Sequence, residues 1–308
     1  MNKRWTSIAW AIAAVVLLLS IGHPIQLITM SFMAIPFVIL YVTQSVKSFI
    51  IHVVALLLAV FFLGGSLGSV MVLASLYFII PGIVIGLMFK RGKSGWHVFV
   101  SGMIAFLVES LFLLALTTLV MNFDLTEFIR SQMNLSMEAI QQTAGLTDEQ
   151  LADFIDSLVI MLNQMIPVML IMSSLMLGAV TYSISRRLLT AQGVNVNKMK
   201  PVKEWMLPRS LIWYYLLTIV LEIIAGNSTS GFLVMILINL VPLIQLAFVV
   251  QGISFVFFFA DHKRWPKALP VVVTIAVAFV PPLYYLLRIV GIVDMAFPMR
   301  QLITRPKQ

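Results

Sequence analysis

Few side chains here can do chemistry where they stand, because 61% of the 308 residues are hydrophobic and only 10% are charged. Glu109 lies between Phe106-Leu107-Val108 and Leu111-Phe112-Leu113, so its carboxylate sits inside a run long enough to cross a bilayer. A charge at that depth costs at least about 2.5–3.5 kcal/mol, which singles out groups that bind a substrate, carry a proton or pair internally. Arg288, also placed toward the outer half of its run, is a candidate partner. Glu222 is a second carboxylate in an apolar run, close to an outer turn. Asn163 and Asn239 add amides that both donate and accept hydrogen bonds. Glu109, Asn163, Glu222, Asn239 and Arg288 therefore make up a candidate binding site for a small molecule. For the carboxylates the alternative is an internal ion pair or a carboxyl kept protonated by its surroundings. His52, one turn into its helix, reads as a satisfied helix-end histidine.

Catalytic constellations are missing from the sequence. No His-Glu-x-x-His zinc motif, Gly-x-Ser-x-Gly nucleophile turn or Gly-x-x-x-x-Gly-Lys-Ser/Thr loop occurs. Cysteine is absent, which removes disulfides, thiolate catalysis and Cys-based metal sites. The chain thus reads as a non-enzyme with no catalytic residue, no metal and no cofactor. Any energy it uses comes from a gradient or from a partner that hydrolyses ATP.

The elements that must position these side chains are membrane helices. A soluble fold averages about 45–50% apolar and about 25% charged residues, so this composition cannot be covered by water-facing surface. Apolar runs at about 8–19, 25–42, 49–63, 70–89, 96–121, 158–182, 211–225, 232–260 and 269–293 predict an all-α polytopic bundle of eight or nine transmembrane helices. Pro36 is expected to kink the second run. The first run could pass for a signal peptide, but no convincing small-residue cleavage site follows, so it reads as a retained helix. Basic residues fall at every second gap, whereas the gap 122–157 carries seven carboxylates and one arginine. Lys and Arg are retained on the cytoplasmic face, which places the N-terminus inside and the acidic gap outside. That rule also accounts for most of the net charge of +8, and nucleic acid is not an expected partner.

The outer gap holds helical patterns of its own, and Thr147 with Gln150 forms a capping box whose helix should run on into the sixth span. Met161, Met165, Met169, Met172 and Met176 recur there at helical spacing and read as adaptable core packing. Gly82 and Gly86, one turn apart, suit close helix packing, within the chain or across a dimer seam. The basic loop 186–209 carries six Lys/Arg against Glu204 and divides a six-helix bundle, 1–185, from the C-terminal helices and tail, 210–308. It suits anionic lipid or a cytoplasmic partner. The last run poses a conflict: crossing fully puts Arg300, Arg305 and Lys307 outside, whereas a turn at Pro281-Pro282 returns them inside.

Ala9-Trp10-Ala11-Ile12-Ala13, Pro24, Ile35-Pro36 and the short Lys47 connector resemble the substrate-binding membrane subunits of energy-coupling-factor vitamin transporters. That resemblance implies that Ala9 and Ala13 dock on a separate ATP-driven coupling module, and small residues one turn apart do open a groove for another helix. Over its whole length the chain is similar to the YybS-like family of bacterial multi-pass membrane proteins. Gln251-Gly252-Ile253-Ser254 and Gly291-Ile292-Val293-Asp294, with Arg300, carry this second resemblance. It implies a bacterial cell membrane and no established activity. Two functions follow as expectations: a small-molecule-binding transport subunit without its own ATPase, or a non-transporting scaffold or regulatory protein of the cell envelope.

Overall fold

A computed structural model describes residues 3–144, 147–226, 231–297 and 299–304, and the regular structure among them is entirely helical. Chain contacts divide it into two units, residues 1–125 with 170–199 and residues 126–169 with 200–308. This grouping differs from the expected division at 186–209, because the acidic segment before the sixth expected span belongs with the C-terminal helices.

The first unit contains α1 (Lys3–Leu18), α2 (Gln26–Thr29), α3 (Ile35–Thr43), α4 (Val46–Leu63), α5 (Gly68–Lys90), α6 (Gly95–Leu119) and the second half of α8 (Asp148–Ala191). Ser45 caps α4 by accepting a hydrogen bond from the Ser48 N–H, a partner that the first turn of a helix otherwise lacks. Pro36 does not kink a continuous helix as expected. It stands in the first turn of α3, after a short 3-10 turn at Met30–Phe32, where proline removes no needed donor. The core gathers Phe37, Val38, Ile85, Val98 and Phe106. Gly82 and Gly86 seat α3 against α5: a Cβ at Gly82 would stand 2.8 Å from that of Phe37, and one at Gly86 2.9 Å from the Tyr41 ring. Their close packing is therefore within the chain.

The second unit holds α7 (Leu125–Ala144), the first half of α8, α9 (Ser210–Ala225), α10 (Phe232–His262), α11 (Ala268–Ala276), α12 (Pro281–Ala296) and α13 (Met299–Thr304). The capping box forms as expected, with Thr147 N–H donating to Gln150 Oε1 at 3.1 Å and Gln150 N–H to Thr147 Oγ1 at 3.3 Å. From there α8 runs for 44 residues, about 66 Å. A hydrocarbon core is only about 30 Å thick, so the acid-rich first turns project beyond it. There α8 pairs with α7 through Arg130 and Asp156. The methionine stripe faces outward at Met161, Met169 and Met176, not into the core as expected.

Among the described residues six helices are long and apolar enough to cross a membrane, or seven if α11 and α12, bent by 115°, count as one span. The expected eight or nine included α1 and α9, which are apolar but shorter than a full crossing. The last residues of the expected outer turn, 227–230, and the tail 305–308 lie outside the described residues.

The closest packing in the second unit joins α10 to α12. A Cβ at Gly252 would collide with the Leu287 carbonyl, and one at Gly291 with that of Phe248. Both obstacles are backbone, so no side-chain rotation relieves them. Replacing Gly291 by Ala should destabilise the protein by about 1–3 kcal/mol, read as a lowered thermal midpoint in detergent. An unchanged midpoint would mean that the two helices separate at little cost.

Candidate functional site

Polar groups at membrane depth are placed either to bind something else or to hold the chain together, and hydrogen bonding separates the two uses. Asn239 holds the chain together. Pro167 interrupts α8, and proline cannot donate to the preceding turn. Beside this interruption Asn239 Oδ1 accepts from the Val168 N–H at 2.8 Å, while its Nδ2 donates to the Gln164 carbonyl at 2.7 Å. One carboxamide thus braces both poles of a helix turn. Asn163 is engaged as well, donating to Thr126 Oγ1 at 3.2 Å.

The largest polar cluster fastens the loop after α8 to the C-terminal helices. Asp294 is 3% exposed and receives Arg300 Nε at 3.2 and 3.1 Å and Nη2 at 2.8 Å. Gln251, fully buried, donates to Asp294 Oδ2 at 2.6 Å and accepts the Leu207 N–H at 2.9 Å. Ser254 Oγ reaches the carbonyls of Val202 and Trp205 at 2.7 and 2.8 Å, and Arg300 Nη1 that of Lys203 at 2.7 Å. Arg300 also lies over the Phe258 ring, 5.2 Å from its centre. Residues 200–207 therefore form a strap whose backbone is held by three side chains, those of Gln251, Ser254 and Arg300. The preceding stretch is held to the first unit in the same way. Asn197 Nδ2 donates to the Gly92 carbonyl at 2.6 Å, and Tyr182 Oη accepts the Met199 N–H at 3.0 Å.

Lys203 adds a pair to Asp261 at 2.8 Å. The hydrogen bond that Lys203 donates to Asp261 raises the lysine pKa above its usual value. The pair is open to water and screened, so it contributes far less than the buried one.

Glu109 differs from these groups. It is 8% exposed on α6, beside a hydrogen bond of 2.9 Å between Tyr77 Oη and Ser110 Oγ, and no hydrogen bond or ion pair reaches its carboxylate among the described residues. Glu109 belongs to the first unit and Arg288 to the second. Arg288 instead lies 5.1 Å from the centre of the Tyr285 ring. Glu222 is exposed on α9. Ala9 is exposed and Ala13 half-buried on α1, where Ile12 and Val16 also face outward. His52 is satisfied by the Ser48 carbonyl at 2.7 Å. Within the second unit Asn163 and Asn239 come close together, at neighbouring turns of α8, while Glu222 and Arg288 have surroundings of their own.

Two shallow cavities are small and mostly apolar. One, about 250 Å³, lies between α4 and α5, lined by Val54, Leu57, Leu58, Phe61 and Val72. The other, about 150 Å³, lies beside α12 against Phe255, Ile289 and the already paired Asp294. Among the described residues no three His, Asp or Glu side chains gather to hold a metal ion.

Spanning helices braced internally by buried amides and an ion pair define a polytopic helical membrane protein. The chain belongs to the DUF2232 family of predicted membrane proteins, which it matches over residues 11–295. It is similar to the uncharacterized protein YybS of Bacillus subtilis (strain 168), 26% identical over 295 residues that make up 93% of each chain. No solved structure matches it. The full-length resemblance to YybS-like proteins holds, whereas the resemblance of its start to vitamin-transporter subunits gains no support from these comparisons.

Gln251, Ser254, Asp294 and Arg300 were not among the expected site residues, although all four lie in or beside the two motifs that carry the family resemblance. Cutting Arg300 to Ala strands a buried carboxylate and should cost about 3–5 kcal/mol, whereas Asp294→Asn, which keeps shape and removes the charge, should cost less. Thermal unfolding of both variants in detergent and of the double variant checks this. Additive losses would show that the two side chains are not coupled.

Proposed function

We propose that this multi-pass membrane protein is a non-enzymatic scaffold that holds partner proteins at the bacterial cell membrane. The observation that carries the reading is how its polar groups are used: Asn163, Asn239, Gln251, Ser254, Asp294 and Arg300 all bind the chain's own groups. The two cavities described above are lined by apolar side chains and by an Asp294 already paired with Arg300. What remains for recognition is surface outside the apolar layer. The α7–α8 hairpin exposes Leu135 and Phe154 among carboxylates, and the strap region exposes Lys198, Lys200 and Arg209. The positive-inside rule puts the strap and the N-terminus in the cytoplasm and the hairpin outside. Lipid is the solvent for the spanning helices.

A second reading rests on Glu109 alone. A buried carboxylate without a partner is what a small-molecule-binding subunit would keep for its ligand. In that case Ala9 and Ala13, on the outward side of α1, would meet a separate coupling module or another membrane protein.

Photo-crosslinking residues placed at Leu135 and Phe154 in native membranes, with a third at Phe112 on the apolar surface of α6, separate the two. The scaffold predicts one discrete protein adduct at the hairpin positions that persists in Glu109→Gln. If the hairpin positions give no adduct, and a stoichiometric small molecule co-purifies with the native chain but not with Glu109→Gln, the scaffold reading fails and the binding subunit replaces it.

A further inference from the structure

The fate of α11 and α12 follows from what lies at their two ends. The segment departs from the end of α10, where Asp261 pairs with Lys203 of the strap at 2.8 Å. It finishes at Arg300, which meets the carbonyl of the same Lys203 at 2.7 Å, the Ser254 hydroxyl at 3.1 Å and the Phe258 ring. All of these partners belong to the strap or to the last nine residues of α10, Ser254–His262, a stretch of about 12 Å. A segment that crossed an apolar layer of about 30 Å could not return its end there.

Helix lengths agree. With nine residues, α11 is about 14 Å long, and with sixteen α12 is about 24 Å, so neither crosses unaided. The 115° bend between them folds the chain back instead of extending it. The break is also built for an environment without water. The N–H groups of Val277, Ala278, Phe279, Val280 and Leu283 all find carbonyls, and the two residues between, Pro281 and Pro282, have no N–H to satisfy. Donors left open at a helix break are what hydrocarbon does not tolerate.

We propose that residues 268–296 form a re-entrant segment that enters the membrane from the strap face and leaves on that same face, so that the chain after α12 lies with the strap. The sequence left this conflict open, and the fastening at Lys203 decides it. One consequence concerns Arg288. Its neighbour Leu287 lies against Gly252, ten residues or about 15 Å from the strap end of α10. The re-entrant segment therefore carries a cation into the apolar layer, where Arg288 lies over the Tyr285 ring.

The absence of cysteine makes the test direct. Single cysteines replace Lys200 on the strap, Gln301 after α12 and Gln150 at the start of α8, all exposed positions. Each is treated with a membrane-impermeant maleimide in intact spheroplasts and in inside-out vesicles. The expected result is that Lys200→Cys and Gln301→Cys react in the same preparation and Gln150→Cys in the other. Reaction of Gln301→Cys together with Gln150→Cys overturns the proposal, because α11 and α12 would then cross. Thermal midpoints within about 2 °C of the cysteine-free chain establish that each variant keeps the native fold.

Discussion

A carboxylate sealed among apolar helices must be neutralised and hydrogen-bonded, and the C-terminal unit is arranged around meeting that demand at Asp294. Two guanidinium nitrogens of Arg300 supply the charge, and the Gln251 amide supplies a further donor. While Gln251 donates to Asp294, its buried oxygen is satisfied by the Leu207 N–H, which ties the course of the strap to the same side chain. The approach of α12 to α10 that brings Asp294 within reach depends in turn on Gly252 and Gly291. Such a pair adds less net stability than well-packed hydrocarbon would, yet breaking it is expensive. It selects one arrangement of helix, strap and tail.

The same logic recurs at smaller scale wherever the backbone is interrupted. Pro167 disturbs a long helix, and Asn239 from α10 repairs the turn beside it. Pro281 and Pro282 begin a helix within an apolar segment and remove the donors that would otherwise lack partners. In water these interruptions would be solvated without help. In lipid each needs a dedicated side chain or a donor-free residue, which explains why so many of the few polar groups are already engaged. Glu109 is conspicuous because the same accounting leaves it over.

Membrane architecture was legible because its signal is cumulative: twenty apolar residues in succession outweigh any local ambiguity, and the capping box at Thr147 and Gln150 reads correctly from two residues alone. Pro36 was misread because proline carries the same covalent restriction in a kink and in a first turn, and only the neighbouring chain distinguishes them. The methionine stripe was misread because spacing locates a face without saying what it faces. The polar cluster was half legible. Its residues stood out as two short motifs about forty positions apart, but nothing local says that Gln251 and Asp294 touch, since their meeting depends on two glycines allowing backbones to approach. Sequence reasoning weighted depth in the membrane, which favoured Glu109 and Arg288. It had no way to weight pairing.

The strap and its clasp are far apart in the order of synthesis. Lys203 emerges from the ribosome 97 residues before Arg300, so for most of the time taken to make α9 through α12 the strap has nothing to close it and Asp294 does not yet exist. A nascent chain that stalls or is cut short of Arg300 would keep its earlier spanning helices while presenting a loose basic segment and an unneutralised carboxylate. Membrane proteases that act on unfolded segments would therefore meet a clear difference between chains that have and have not reached Arg300, at the start of α13.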